Sequence, residues 1–101
     1  MINSKQRKYL KSLAHSKEPL LQIGKYGLTE GAIAQLNELL EAHELVKIRV
    51  LNNSPVEVEE IVEEILDKTE SEFVQKIGNK LTLYRESKDN KVIELPWKSE
   101  Y

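Results

Sequence analysis

Residues 20–31 read LLQIGKYGLTEG, and this stretch decides how the rest of the chain is arranged. A short apolar run is followed by two glycines three positions apart and then by Thr29, a residue type suited to cap a helix. This order predicts a strand, a tight loop over Gly24-Lys25-Tyr26-Gly27 and a helix that begins just after Thr29. The sequence therefore predicts a strand-to-helix turn at residues 24–29.

The loop has features that suit a phosphate group. Gly24 and Gly27 have no Cβ, so a bulky ligand can approach the backbone closely. The helix N-terminus behind the loop offers unpaired N–H groups and a partial positive charge. Lys25 adds a full charge, and the ring of Tyr26 is able to stack on a base. Two glycines at this spacing also occur in ordinary strand-to-helix turns, so the loop alone leaves both interpretations open.

Hydrophobic periodicity on both sides of this stretch predicts three helices and four strands. The helices are predicted at residues 4–14, 30–43 and 55–69. The strands are predicted at residues 20–23, 45–51, 72–77 and 81–85. The order α-β-α-β-α-β-β contains two β–helix–β units, which favour right-handed crossovers, a mixed sheet and helices packed on it. We therefore expect a layered α+β fold.

Three further expectations concern the start of the third helix, the position of His43 and the segment after the last strand. Ser54-Pro55-Val56-Glu57 has the pattern of a capping box with proline at the first helical position, which starts the third helix at Pro55. A helical projection places His43 on the apolar side of the second helix. Residues 92–95 are expected to be extended before Pro96.

The length of 101 residues predicts one domain, which we place at residues 1–96 with a tail at 97–101. The chain has no cysteine, so it has no thiolate for a metal site or a nucleophile. It has no apolar stretch near the roughly 20 residues of a membrane span, and its first residues lack a secretory signal. We therefore expect a cytoplasmic protein.

The net charge of −2 conceals a strong asymmetry along the chain. Residues 1–28 carry +5, residues 29–71 carry −8 and residues 72–101 carry +1. The positive charge is thus concentrated around the glycine loop, which favours a polyanion as partner at this end. The basic side chains that we expect to bind it are Lys5, Arg7, Lys8, Lys11, Lys17 and Lys25.

Other chemistries find little support in the sequence. His15 and His43 lie in different elements, and no thiolate assists them, so we expect no metal site. The glutamates of the second and third helices fall on predicted water-facing sides, and no Ser-His-Asp grouping is visible. The loop is too short for a Walker phosphate loop and lacks its terminal Gly-Lys-Ser/Thr. We therefore expect a binding protein that has no catalytic residues and no cofactor.

Four segments of the chain closely resemble the CRM domain family. They are Lys5–His15 (KQRKYLKSLAH), Gln22–Gly31 (QIGKYGLTEG), Glu44–Val50 (ELVKIRV) and Leu83–Ser87 (LYRES). The resemblance extends over about residues 3–96 and is to the stand-alone bacterial, YhbY-type RNA-binding form of the domain. It implies a four-stranded mixed sheet similar to the C-terminal domain of translation initiation factor 3. It also implies a GxxG loop like that of KH domains, which contacts RNA backbone.

The resemblance further implies a link to ribosomal RNA and to maturation of the large ribosomal subunit. By position, the family loop corresponds to residues 24–27, and the family's basic surface corresponds to the first helix. The leading hypothesis is a non-catalytic binder of ribosomal RNA or of a pre-50S particle. The alternative is a protein–protein adapter whose acidic second and third helices dock on a basic partner such as a ribosomal protein.

Overall fold

A computed structural model describes residues 2–96, with the elements in the predicted order. The helices are α1 (Ser4–Ala14), α2 (Glu30–His43) and α3 (Val58–Thr69). The strands are β1 (Leu21–Ile23), β2 (Leu45–Val50), β3 (Glu72–Ile77) and β4 (Lys80–Tyr84). The predicted tail, residues 97–101, lies outside the described residues, so the domain boundary at residue 96 stays a prediction.

The four strands form one mixed sheet in the order β1-β2-β4-β3. β1 and β2 are parallel, as expected for two neighbouring strands joined by a helix, whereas β4 pairs antiparallel with both β2 and β3. β4 is therefore inserted between two strands that run in the same direction. This topology confirms the α+β fold with a four-stranded mixed sheet.

One face of the sheet carries the larger hydrophobic core, beneath α2 and α3. Its buried side chains are Leu21, Ile23, Leu36, Leu40, Val46, Ile48, Val50, Val58, Ile61, Ile65, Leu81 and Leu83. Each fully buried Val, Leu or Ile contributes about 1.5–3 kcal/mol relative to an exposed position. Because β1 and α2 both contribute to this core, the loop that joins them is held at both of its ends.

The opposite face of the sheet carries a second, smaller core beneath α1. Its buried side chains are Ile2, Leu10, Ala14, Leu45, Val74 and Tyr84. Asn3 caps α1: its Oδ1 accepts a hydrogen bond from Gln6 N at 2.8 Å, and Gln6 Oε1 accepts one from Asn3 N at 3.0 Å. α1 thus lies on the layer opposite α2 and α3.

The predicted start of α3 at Pro55 is wrong, because the helix begins at Val58. The Ser54 hydroxyl is engaged with the residue two positions on, accepting from Val56 N at 3.2 Å and donating to Val56 O at 2.7 Å. This tight turn excludes helical backbone there. The capping interaction is displaced by three residues, with Glu57 N donating to Glu60 Oε1 at 2.8 Å.

His43 is exposed, although the projection placed it on the apolar side of α2. The helix ends immediately after it, where Glu44 takes a φ of +66° and its N–H bonds to Leu40 O at 2.8 Å. The chain therefore reverses direction towards β2 directly after His43. A helical projection assumes that the helix continues, so it does not predict the exposure of the last helical residue.

Residues 92–95 lie outside the sheet and are held by the buried carboxylate of Glu44. Its Oε1 accepts from Val92 N at 2.8 Å and Ile93 N at 2.7 Å, and its Oε2 accepts from Ser87 N at 2.7 Å. Ile93 and Leu95 pack against the second core. Burial, assisted by the Glu44 carboxylate, raises the pKa of the Tyr84 hydroxyl in this core to about 12.

Candidate nucleic-acid interface

The GxxG loop is a compact turn at the carboxyl end of β1. Gly27 N donates to Gly24 O at 2.9 Å, and Gly27 has a φ of +69°, in the left-handed region that glycine tolerates. A Cβ added to Gly27 would lie 3.4 Å from Pro55 Cγ. The second glycine is thus required by its backbone conformation and by the segment packed behind it.

The tip of the loop presents a positive charge and an aromatic ring together. Lys25 and Tyr26 are both exposed, with Tyr26 77% exposed, and Lys25 Nζ lies 5.1 Å from the centroid of the Tyr26 ring. A cation at this distance from a tyrosine ring is attracted to its face by roughly 0.5–1 kcal/mol at an exposed site. The pair therefore forms one projecting group that is open to a ligand.

The N-terminus of α2 directly follows the loop. Thr29 caps it as predicted, since its Oγ1 accepts from Ala32 N at 3.0 Å. The cap hydroxyl still has a hydrogen to donate, so Thr29 is able to meet an acceptor in front of the helix. The exposed carboxylate of Glu30 lies in the first turn and opposes an approaching anion, so the charge of Lys25 matters more here.

An open depression of about 420 Å³ runs beside the loop along β1 and the first turns of α2. Its lining residues are Leu21, Gln22, Gly24, Lys25, Tyr26, Gly27, Thr29, Gly31, Ala32 and Gln35. Gln22 and Gln35 are functional candidates that sequence reasoning missed. The alternation of Gln22 with the buried Leu21 and Ile23 marks it as facing away from the larger core, and Gln35 lies one helical turn beyond Gly31.

Three lysines of α1 project away from the sheet. These are Lys5, Lys8 and Lys11, which recur every third residue and are exposed. A helical projection predicts Arg7 on the polar face with Lys8 and Lys11, but Arg7 is half-buried, and its Nε donates to Phe73 O at 3.1 Å. Its terminal nitrogens keep four further N–H donors for a ligand, although the guanidinium is anchored to β3.

The exposed Lys17 follows α1 and is held close to the sheet. Lys47 Nζ donates to Ala14 O at 2.9 Å and to Lys17 O at 3.0 Å, which ties the end of α1 to β2. Leu20 N donates to Lys47 O at 2.8 Å, and the three residues of β1, which span about 10 Å, lie between Leu20 and the glycine loop. The end of α1 is thus tied to the sheet about one strand length before the loop, and Lys5 lies at the other end of the helix, roughly 15 Å away along its axis.

The acidic side chains of α3 lie on the other layer of the molecule. Glu59, Glu60, Glu63, Glu64 and Asp67 are exposed there. A hydrogen bond from the Lys76 ammonium lowers the pKa of Glu59, and Lys68 Nζ lies 2.8 Å from Glu64 Oε2. The sheet therefore separates the lysines of α1 from the glutamates of α3.

Among residues 2–96, no three histidine, aspartate or glutamate side chains are grouped so as to hold a metal ion. Within the same range, no helix has the length and apolar character needed to cross a membrane.

The structure is a small α+β domain: a β1-β2-β4-β3 mixed sheet carries α1 on one layer and α2 and α3 on the other, and a glycine loop that contains a lysine precedes α2. A family model described as the CRS1 / YhbY (CRM) domain matches residues 2–85. The chain belongs to this family, which confirms the resemblance of the four sequence segments.

Known proteins resemble the chain over nearly its whole length. "Probable RNA-binding protein YqeI" of Bacillus subtilis is 44% identical over 96 residues, which cover 95% of this chain and all of that protein. An "RNA-binding protein" of Haemophilus influenzae is 39% identical, with 96% of this chain and 97% of that protein covered. The solution structure of SAV1595 from Staphylococcus aureus has a TM-score of 0.78 and 48% identity, and covers 95% of this chain and all of that chain.

Proposed function

We propose that this protein is a non-catalytic RNA-binding protein that holds RNA through the GxxG loop and the basic side of α1. The observation that carries the proposal is the exposed Lys25–Tyr26 tip of the glycine loop, with the capped N-terminus of α2 directly behind it. The names of the Bacillus subtilis and Haemophilus influenzae relatives, which describe RNA-binding proteins, support the same ligand class.

The side chains bind RNA through two kinds of interaction, charge attraction to phosphates and stacking on a base. Five lysine side chains attract phosphates, and these are Lys5, Lys8, Lys11, Lys17 and Lys25. Their binding releases counterions from the RNA, and because this release is less favourable at higher salt, their contribution to affinity falls as salt rises. The glycine backbone and the Thr29 cap position a phosphate in front of α2. Tyr26 stacks on an unpaired base, a contact worth about 1–3 kcal/mol in single-strand binders. Recognition then depends on shape and on single-stranded segments more than on base sequence.

The depression beside the loop is lined by side chains less suited to acid–base catalysis than carboxylates or histidine. Among the residues that line the depression, the polar side chains are Gln22, Lys25, Tyr26, Thr29 and Gln35, which include no carboxylate or histidine to serve as a general base. These residue types suit hydrogen bonding and charge neutralisation of a polyanion. Positioning without bond cleavage is the role that this composition supports.

The RNA that we propose is ribosomal, within a pre-50S particle, and the protein acts in the cytoplasm during assembly of the large subunit. This finer assignment rests on the CRM family resemblance. A GxxG loop with few base-reading side chains suits a structured RNA with exposed single-stranded segments.

Replacement of Lys25 by glutamate tests the loop. We expect Lys25→Glu to weaken binding of large-subunit ribosomal RNA fragments about tenfold, since one phosphate contact is lost and a repulsive charge is added. Fluorescence anisotropy measures the affinity, and urea unfolding checks that the exposed substitution leaves stability within about 0.5 kcal/mol.

The matched control is Glu30→Gln, which removes a negative charge from the same helix end. Its affinity for the same fragments is expected to rise, because the carboxylate opposes the phosphate. Equal affinities for Lys25→Glu, Glu30→Gln and the unmodified protein would remove the loop from the RNA site.

A second candidate function is supported by the placement of the acidic residues. The carboxylates of α3 lie on the layer opposite α1, where they are available to a basic partner while RNA occupies the other side. In this alternative the protein is an adapter that docks a ribosomal protein on α2 and α3.

A further inference from the structure

Four residues in register form a row across the sheet, on the same face as α1. Gln22 of β1 pairs with Arg49 of β2, Arg49 with Lys80 of β4, and Lys80 with Ile77 of β3. Side chains that are directly opposite in neighbouring strands lie on the same face. Lys47, two positions before Arg49, bonds to the end of α1, which identifies this face as the one that α1 covers.

α1 leaves this row uncovered. Its contacts with β2 and β3 reach Lys47 and Phe73, whereas the row lies nearer the glycine-loop end of the sheet. Ile77 is 65% exposed, and Gln22 is exposed as well, while Arg49 and Lys80 are half-buried. The row is therefore an open strip of sheet and not part of the second core.

The two cations of the strip have no acidic partner among residues 2–96 of the structure. Other basic side chains of the sheet are engaged: Lys76 pairs with Glu59, and Arg85 donates to Asn37 and to Thr69 O. Arg49 and Lys80 lie side by side on neighbouring strands about 4.8 Å apart. Two like charges at this spacing are unfavourable for the protein alone and favour an anion above them.

The strip meets the depression beside the glycine loop at one residue, Gln22. Gln22 belongs to both, because it lines the depression and pairs with Arg49 in the sheet. Two strand spacings, about 10 Å, separate the backbone of Gln22 from that of Lys80. Beyond Gln22, the next two positions of the row are Arg49 and Lys80, and no position of the row carries an acidic side chain.

We propose that Arg49 and Lys80 form a second phosphate-binding site, over which the backbone of the bound RNA continues from the GxxG loop. The inference rests on the RNA-binding function proposed above and extends its site. The Arg49 guanidinium is suited to hold a phosphate through two parallel hydrogen bonds, and Lys80 adds a point charge. Ile77 offers an apolar surface to a sugar or base at the end of the strip.

The test compares two double variants that remove the same charge. Arg49→Gln/Lys80→Gln changes the strip, and Lys68→Gln/Lys76→Gln changes two lysines that pair with α3 carboxylates. The probe is a fluorescein-labelled oligouridylate of about twelve nucleotides, long enough to pass beyond a GxxG clamp of about four. Anisotropy titrations between about 50 and 200 mM salt give the affinity and its salt dependence.

We expect the strip variant to bind the probe about tenfold more weakly than the unmodified protein. The magnitude of its slope of log affinity against log salt is expected to fall by about 1.4, because each lost phosphate contact on a single strand accounts for about 0.7. The control variant is expected to keep the slope of the unmodified protein. A strip variant that matches the control, while Lys25→Glu still weakens binding, would overturn the second site and leave the loop proposal intact. Absence of binding by the unmodified protein would overturn both.

Ultraviolet cross-linking of the unmodified protein to the same probe gives an independent measurement that does not depend on variant folding. We expect cross-linked peptides from β2 and the β3–β4 hairpin in addition to the loop. Cross-links at the loop and α1 without any at these strands would contradict the proposed path.

Discussion

At the scale of single residues, the two glycines of the loop have different roles. Gly27 has a φ of +69° and packs against Pro55, whereas a Cβ on Gly24 would only make ordinary contacts, at 3.7 Å from Asn53 Oδ1 and 3.8 Å from Leu51 Cδ1. Only the second glycine is therefore required by the protein's own structure.

Replacement of each glycine by alanine separates these roles. Gly27→Ala is expected to destabilise the protein by about 1–2 kcal/mol, because the left-handed backbone then carries a Cβ. Gly24→Ala is expected to change stability by less than about 0.5 kcal/mol. Urea unfolding monitored by circular dichroism measures both values. Equal losses in the two variants would contradict the assignment of strain to Gly27 alone.

At the scale of elements, α2 holds the chain that follows β4. Glu41 Oε2 accepts from Ser87 Oγ at 2.7 Å and from Asp89 N at 3.2 Å, and its Oε1 accepts from Lys88 N at 3.3 Å. The hydrogen bond from Ser87, with smaller contributions from the two backbone N–H groups, lowers the pKa of Glu41 from its ordinary value of 4.5. The carboxylate is thus the bonded form in the folded state.

Because the folded pKa is lowered, the contribution of Glu41 is present above its ordinary pKa and is lost as the pH falls through the lower folded value. We expect the urea midpoint of the unmodified protein to fall more steeply below about pH 4.5 than that of Glu41→Gln. Midpoints measured from neutral pH to about pH 3 provide the comparison, since every other carboxylate is common to both proteins. Parallel curves would show that Glu41 does not link folding to pH.

At the scale of the whole molecule, the sheet separates two layers of opposite charge. The lysines of α1 lie on one side, and the exposed carboxylates of α3 lie on the other. Charges separated by more than the Debye length of about 8 Å at physiological salt act almost independently. Each layer is therefore able to meet its own partner, which makes the RNA-binding and adapter functions separable by experiment.

Charge reversal on the acidic layer distinguishes the two functions. If the protein acts by binding RNA alone, Glu60→Lys/Glu63→Lys/Glu64→Lys is expected to keep or strengthen binding to naked ribosomal RNA and to keep co-sedimentation with pre-50S particles. Sucrose-gradient sedimentation of cell extracts and anisotropy with purified RNA measure the two properties. Loss of particle association with unchanged RNA binding would support the adapter instead.

The sequence predicted most of the elements because their signals are local. The bounds of α1 and α2 follow from Asn3, Thr29 and the helical periodicity, and β2 follows from the alternation of Val46, Ile48 and Val50 with Lys47 and Arg49. The predicted start of α3 was wrong because the Ser54 hydroxyl forms hydrogen bonds within a turn and does not cap a helix. The same sequence pattern is compatible with either use of the hydroxyl.

The candidate site was predicted in part for the same reason. The GxxG loop and its helix cap lie in one continuous stretch, so they were visible in the sequence. The depression also includes Gln35, and the proposed strip joins four separate strands through Arg49 and Lys80. Strand order and register place these residues together, and neither can be obtained from the spacing of residues along the chain.

The sequence by itself determined the turn at Gly27, the charge asymmetry and the order of the elements, because each depends on neighbouring residues and on periodic burial. Only the tertiary structure decided that β4 lies between β2 and β3, that Glu44 is buried beneath residues 87–93, and that α1 and α3 occupy opposite layers. These features depend on contacts between residues far apart in the chain, where packing of two cores selects one arrangement among several that satisfy the same local pattern.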